Sequence, residues 1–176
     1  LTLSDSKMYI DDSGNLSVAD IRSRCRRQQT RYGLDLVIVD YLGLLQLGNK
    51  RGSLVADIAE ATRALKILAK ELQVPIMLLC QLSRGSESRK ENGYRPILAD
   101  LRDSGAIEQD ADMVLLLYRK ALAMRNRKDD SEYGGAPAEE IEDNTAEVIV
   151  AKNRNGPLKT VNLAFQGMFS RFVNPS

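Results

Sequence analysis

Asp40 closes an apolar run, Leu34-Asp35-Leu36-Val37-Ile38-Val39. A carboxylate at the end of a buried strand can hold a magnesium ion through its water shell, beside a nucleotide phosphate. An Asp that merely opens the next loop gives the same pattern, and on this segment alone the two readings are evenly matched. Gln81 closes a second apolar run, Ile76-Met77-Leu78-Leu79-Cys80. Its amide can sense a γ-phosphate or orient an attacking water; alone, a loop-opening amide is the better reading. Arg102-Asp103-Ser104-Gly105 lies within the segment Asp100 to Asp112. Backbone amides freed by Gly105, together with Arg102, can meet a sugar–phosphate backbone, whereas most charged loops of this composition are simply solvated. Lys152 and Arg154 stand two apart near a strand end and so point to the same side. A hairpin can carry such a pair into a neighbour's nucleotide, where arginine stabilises charge on a transferring phosphoryl group. A solvated hairpin tip is the plain alternative.

The elements that must position these residues follow from periodicity. Residues 17–32 read as a helix with Ser17 as cap and Asp20 as the capping-box acid. Val18, Ile21, Cys25 and Tyr32 share one face, and Arg22, Arg24, Arg26, Arg27 and Arg31 crowd the rest. These arginines can bind nucleic acid, but a solvated face or a partner contact is the commoner outcome. Leu34 to Val39 reads as a buried strand. Ser53 to Gln73 is an amphipathic helix, with Leu54, Ile58, Ala61, Leu65, Leu68 and Leu72 at helical spacing. Pro75 ends it, and Ile76 to Cys80 is the second strand. Ser83 to Arg95 is polar with two glycines and reads as a mobile loop. Met113 to Tyr118 is a third buried strand. Ala121 to Asp143 reads as a flexible insertion. Thr145 to Ala151 and Leu158 to Phe165 form a hairpin with a basic tip, and Met168 to Val173 a last short strand. Buried strands separated by helices and long loops imply a mostly parallel α/β sheet, in which ligands bind beyond the carboxyl ends of the strands. Asp40 and Gln81 stand at two such ends.

Composition narrows the chemistry. The chain has 176 residues, enough for one domain with a real core. With 25 Lys+Arg against 24 Asp+Glu, any polyanion site must be a local patch. There is no His, so triad and zinc chemistry are disfavoured. Cys25 and Cys80 are isolated within apolar patterns and read as buried thiols of a reducing compartment. No apolar run is long enough for a bilayer and no signal-peptide pattern opens the chain. A cytoplasmic protein without a membrane partner is the expectation. The first residue is Leu1, which points to a fragment or a processed chain.

The pieces also occur together and in order. Leu36-Val37-Ile38-Val39-Asp40-Tyr41-Leu42 resembles the Walker B segment of DnaB-type replicative DNA helicases. Cys80-Gln81-Leu82-Ser83-Arg84 resembles the following sensor strand. Arg95-Pro96 with the segment Asp100 to Asp112 resembles the family's DNA-binding loop, Lys152 to Pro157 its arginine-finger hairpin, and Phe169-Ser170-Arg171-Phe172 its closing strand. The resemblance implies a RecA-like motor domain, a mostly parallel sheet flanked by helices with an antiparallel hairpin at the C-terminal edge. It implies six such domains in a ring around single-stranded DNA, with ATP and Mg²⁺ between neighbours. Asp40 would then coordinate Mg²⁺, and Gln81 would couple the γ-phosphate to the DNA loops. Arg102, Asp103 and Gly105 would approach DNA, and Lys152 and Arg154 would reach the adjacent subunit's nucleotide. Primase and a helicase loader are further partners the resemblance implies.

Three departures stand out. No Gly-x-x-x-x-Gly-Lys-Ser/Thr loop occurs, and the catalytic Glu of the next strand is missing with it. Gly43 stands where the family usually has Gln, while Asp103 replaces Glu and Ala99 replaces Ser. The expectation is a single motor domain over 1–176, N-terminally truncated, without ATPase activity alone. A non-catalytic assembly module and a recombination or repair ATPase are the alternatives.

Overall fold

The computed structural model describes residues 6–47, 53–82, 94–123 and 144–175, excepting the side chains of 102–104. They fall into two compact units, Leu1–Gln81 and Leu82–Ser176.

The first unit is built on two helices and a strand pair. Helix α1 spans Val18–Tyr32 and starts as its sequence dictates. The Ser17 hydroxyl accepts from the Asp20 amide at 3.2 Å, and the Asp20 carboxylate accepts from the Ser17 amide at 3.0 Å. The Ser17 hydroxyl also donates to that carboxylate at 2.5 Å, and this bond, with the one from the Ser17 amide, holds the Asp20 carboxyl below its usual range. At the other end Gly33 takes φ +81°, a conformation that favours glycine, and its N–H reaches the Gln29 carbonyl at 3.1 Å.

Helix α2 spans Leu54–Leu72 and buries Ile58, Ala61, Thr62, Leu65, Leu68 and Leu72. The expected stripe is therefore present from Ile58 onward, while Leu54 is exposed. Glu71 of α2 lies between Arg22 and Arg26 of α1, accepting from both guanidinium groups. The Gln29 amide adds a 2.8 Å bond to the Leu72 carbonyl.

Strands β1 (Val37–Val39) and β2 (Ile76–Leu78) pair in parallel, with Val37, Ile38 and Val39 opposite Ile76, Met77 and Leu78. Val39 packs into one cluster with Ile21, Leu68, Leu72 and Val74. The other face of the pair, with Leu36, Ile38, Met77 and Leu79, is exposed. The apolar runs are thus longer than the strands they form.

The second unit holds a four-stranded antiparallel sheet in the order β3-β4-β5-β6. Its strands are Met113–Tyr118, Thr145–Asn153, Lys159–Gln166 and Arg171–Val173. Strand β3 is not buried throughout: Val114, Leu116 and Tyr118 are inside, and Met113, Leu115 and Leu117 face out. The last strand is shorter than its sequence run, because Gly167–Phe169 makes a 3₁₀ turn closed by Ser170 at φ +47°. Ahead of β3, Leu98–Ser104 forms 3₁₀ turns that continue into helix α3, Gly105–Asp110. Most of the predicted loop 83–95 and insertion 121–143 lies outside the described residues.

Candidate functional site

In the first unit the parallel ladder fixes where Asp40 and Gln81 come out. The Leu79 amide donates to the Val39 carbonyl at 3.0 Å, and the Leu42 amide donates back to the Leu79 carbonyl at 2.9 Å. The chain therefore leaves both strands at the same carboxyl end. Asp40, Tyr41, Leu79, Cys80 and Gln81 line an open cleft of about 290 Å³ there. Two residues read separately from sequence are thus brought together. Asp40 is exposed, so its carboxylate is available to a ligand.

No group of three or more His, Cys, Asp or Glu side chains that could hold a metal occurs among the described residues. A single carboxylate such as Asp40 suits magnesium, which keeps most of its waters and takes one or two carboxylates plus phosphate oxygens. The Asp40–Tyr41 peptide is cis. The Tyr41 ring folds back over Gly43: a Cβ at that position would lie 2.5 Å from the ring. The absence of a side chain at Gly43 thus gives the Tyr41 ring its place.

In the second unit, Asp100 is 2% exposed and its carboxylate accepts from the Ile97 amide at 2.8 Å, which shapes the turn ahead of Arg102. The side chains of Arg102 and Asp103 lie outside the described residues. Gly105 is exposed at φ −50°, and a Cβ added there would meet none of the described residues within 4 Å. Neither its backbone angle nor crowding by the described residues requires a glycine there.

Arg95 is anchored on the antiparallel sheet, 2.6 Å from the Glu147 carboxylate and 3.1 Å from the Thr160 hydroxyl. At the hairpin, Asn153 makes the turn by accepting from the Asn155 amide at 3.2 Å. Lys152 and Arg154 reach to the same side, although Arg154 lies in the turn just beyond β4. Lys152 Nζ donates to the Glu108 carbonyl, and Arg154 Nη2 donates to the Gln109 carbonyl at 2.5 Å. Arg154 Nη1 lies 3.4 Å from Asp112 Oδ1.

Sequence reasoning missed Asp112 and Glu71 as partners. Each joins residues more than 40 positions apart, and neither leaves a periodic signal. Cys25 and Cys80 are free and partly buried, and burial pushes both thiols up.

A parallel strand pair that gathers an acid and an amide at its carboxyl end has the architecture of an α/β nucleotide site. The model of the DnaB-like helicase C-terminal domain family matches residues 1–174, and the chain belongs to that family. It is 48% identical over 172 residues to the replicative DNA helicase DnaB of Leifsonia xyli subsp. xyli, covering 98% of this chain and 34% of that protein. It is 43% identical over 174 residues to the replicative DNA helicase DnaC of Bacillus subtilis, covering 98% and 35%. The chain therefore spans about a third of the length of these relatives. Among solved structures, an ATPase domain superposes with a TM-score of 0.81 at 38% identity, over 99% of this chain and 57% of that one. A DnaB-like replicative helicase, solved in a study of its interactions with primase, gives 0.80 at 38% identity, over 99% and 39%. The fold is the RecA-like α/β arrangement. No helix among the described residues is long and apolar enough to cross a membrane.

Proposed function

We propose that this chain forms part of the motor of a hexameric, ATP-dependent replicative helicase. That motor moves along single-stranded DNA and unwinds the duplex. The observation that carries the reading is the convergence of Asp40 and Gln81 on one cleft at the carboxyl end of a parallel strand pair. Family membership supplies the reaction class.

In this reading Asp40 holds Mg²⁺ through its water shell, and the ion neutralises charge on the phosphates of ATP. Gln81, beyond the carboxyl end of the facing strand, orients the attacking water or senses the γ-phosphate. Lys152 and Arg154 reach the nucleotide held by an identical neighbouring subunit. Arg154 is the group that stabilises charge as the phosphoryl group transfers. Arg102, Asp103 and Gly105 approach the DNA backbone. An exposed glycine that packing among the described residues does not require is open to close approach by a backbone. The 176 residues contain no phosphate loop, so hydrolysis needs groups beyond them. Primase and a loader are the protein partners, and the cytoplasm is the compartment.

The test is Arg154→Ala in the full-length gene product assembled as a ring. Hydrolysis should be abolished while nucleotide binding persists. Equal loss of binding and hydrolysis would sink the role in trans.

A further inference from the structure

Lys152 and Arg154 are engaged within their own subunit, and their partner is the helix that continues from the DNA-loop segment. The last carbonyls of any helix lack intrahelical donors, and nearby Lys or Arg can supply them. Helix α3 has six residues, Gly105–Asp110, and follows directly on Leu98–Ser104. Its Glu108 carbonyl accepts from Lys152 Nζ, and its Gln109 carbonyl accepts from Arg154 Nη2 at 2.5 Å. Asp112 holds Arg154 twice: its carbonyl accepts from the Arg154 amide at 2.9 Å, and its carboxylate lies 3.4 Å from the guanidinium.

These two holds differ in kind. The backbone bond roots the hairpin beside β3 whatever the side chain does. The side-chain pair is about half exposed on both partners, 49% and 52%. An exposed pair of this kind is weak and exchanges readily. The guanidinium can leave both the Asp112 carboxylate and the Gln109 carbonyl without detaching the hairpin, and on leaving it withdraws a donor from the end of α3.

We propose that Asp112 and the α3 carbonyls form a resting berth for Lys152 and Arg154, with Asp112 as the positioning residue that sets how readily Arg154 departs for a neighbour's nucleotide. Helix α3 is then shared: DNA contacts act on the segment leading into it, and the arginine acts on its far end. Coupling between two such sites is reciprocal. DNA that fixes residues 102–105 changes the availability of Arg154, and engagement of Arg154 in trans changes the DNA-loop segment. This proposal rests on the role in trans proposed above for Arg154.

The test uses the full-length gene product, with ATP hydrolysis measured without and with single-stranded DNA. Asp112→Asn should raise the DNA-free rate about two- to fivefold, the equivalent of losing one exposed pair, and leave the DNA-stimulated rate nearly unchanged. The stimulation ratio then falls, and Asp112→Glu should restore it. An unchanged ratio, or an equal drop in both rates, overturns the proposal. A second measurement needs no activity. The Ala111 amide donates to the Ile107 carbonyl at 3.0 Å in the last turn of α3. Arg154→Ala should speed hydrogen exchange at that amide, and unchanged exchange would overturn the berth. A wild-type protein that hydrolyses no ATP would defeat the helicase reading, while the exchange measurement would still judge the docking.

Discussion

Leu68 is the residue through which the core of the first unit holds the strand that presents Asp40. It is 1% exposed and packs in one cluster with Val39, the residue before Asp40, and with Ile21, Leu72 and Val74. Leu68→Ala removes three carbon groups worth about 0.8 kcal/mol each on transfer, so about 2.4 kcal/mol is the floor. A cavity that does not collapse raises the cost toward about 5 kcal/mol. The control is one residue away. Ile67 is 53% exposed, and Ile67→Ala should cost only about 1 kcal/mol, because roughly half of its surface stays in water on folding. The assay is urea unfolding followed by circular dichroism, comparing midpoints at unchanged slope. Equal costs at 67 and 68 would refute the phase assigned to α2, and with it the account of how β1 is held.

Three further outcomes are expected. Asp40→Asn in the full-length gene product should eliminate Mg²⁺-dependent hydrolysis, whereas the 176-residue chain should show no turnover with either residue; clear turnover by that chain, lost in the variant, would overturn this. Arg102→Ala should weaken single-strand binding by a similar factor for all sequences and lower its salt slope by about one, and an unchanged slope would count against a phosphate contact. Glu71 has its carboxyl held low first by the hydrogen bond from Arg22 and then by Arg26. A depressed carboxyl contributes stability above its unfolded pKa, and that contribution disappears as pH falls through the folded value. Stability should therefore fall less steeply with acid in Glu71→Gln than in the wild type below about pH 4.3. Some slope should remain in the variant, since Arg24 lowers Asp11 to about 2. Parallel curves for the two proteins would exclude the Arg22–Glu71–Arg26 link.

What was legible in the sequence was local. The capping box of α1 appears as read from Ser17 and Asp20, because both partners lie within one turn. The stripe of α2 and the limits of β3 also follow from spacing, helical in one and an unbroken apolar run in the other. Strand length was less legible. Leu36, Ile38, Met77 and Leu79 are as apolar as residues buried on two faces, yet only one face of the β1–β2 pair is covered by this unit's core. Direction of pairing was illegible for β3, whose apolar run fits a parallel or an antiparallel neighbour equally well; it pairs antiparallel with β4. The standing of Asp40 and Gln81 at two strand ends was readable, and the parallel ladder brings both to one cleft. Asp112 as the berth for Arg154 was not readable, since only the β3–β4 register brings residues 112 and 154 together.

The backbone holds both constellations, and this decides which substitutions separate chemistry from scaffold. Asp40 and Gln81 are placed by the ladder through Val39, Leu79 and Leu42, so changing either side chain alters the charge or polarity of the cleft without removing a bond that positions it. Arg154 is rooted by its own amide on the Asp112 carbonyl, so Arg154→Ala removes the guanidinium and leaves the hairpin in place. The same reasoning marks the opposite class. Leu79→Pro would delete the amide that bonds the Val39 carbonyl, and with it the common exit of Asp40 and Gln81. A loss of activity at residue 79 therefore speaks to the scaffold, and under the proposed function one at residue 40 or 81 speaks to the reaction.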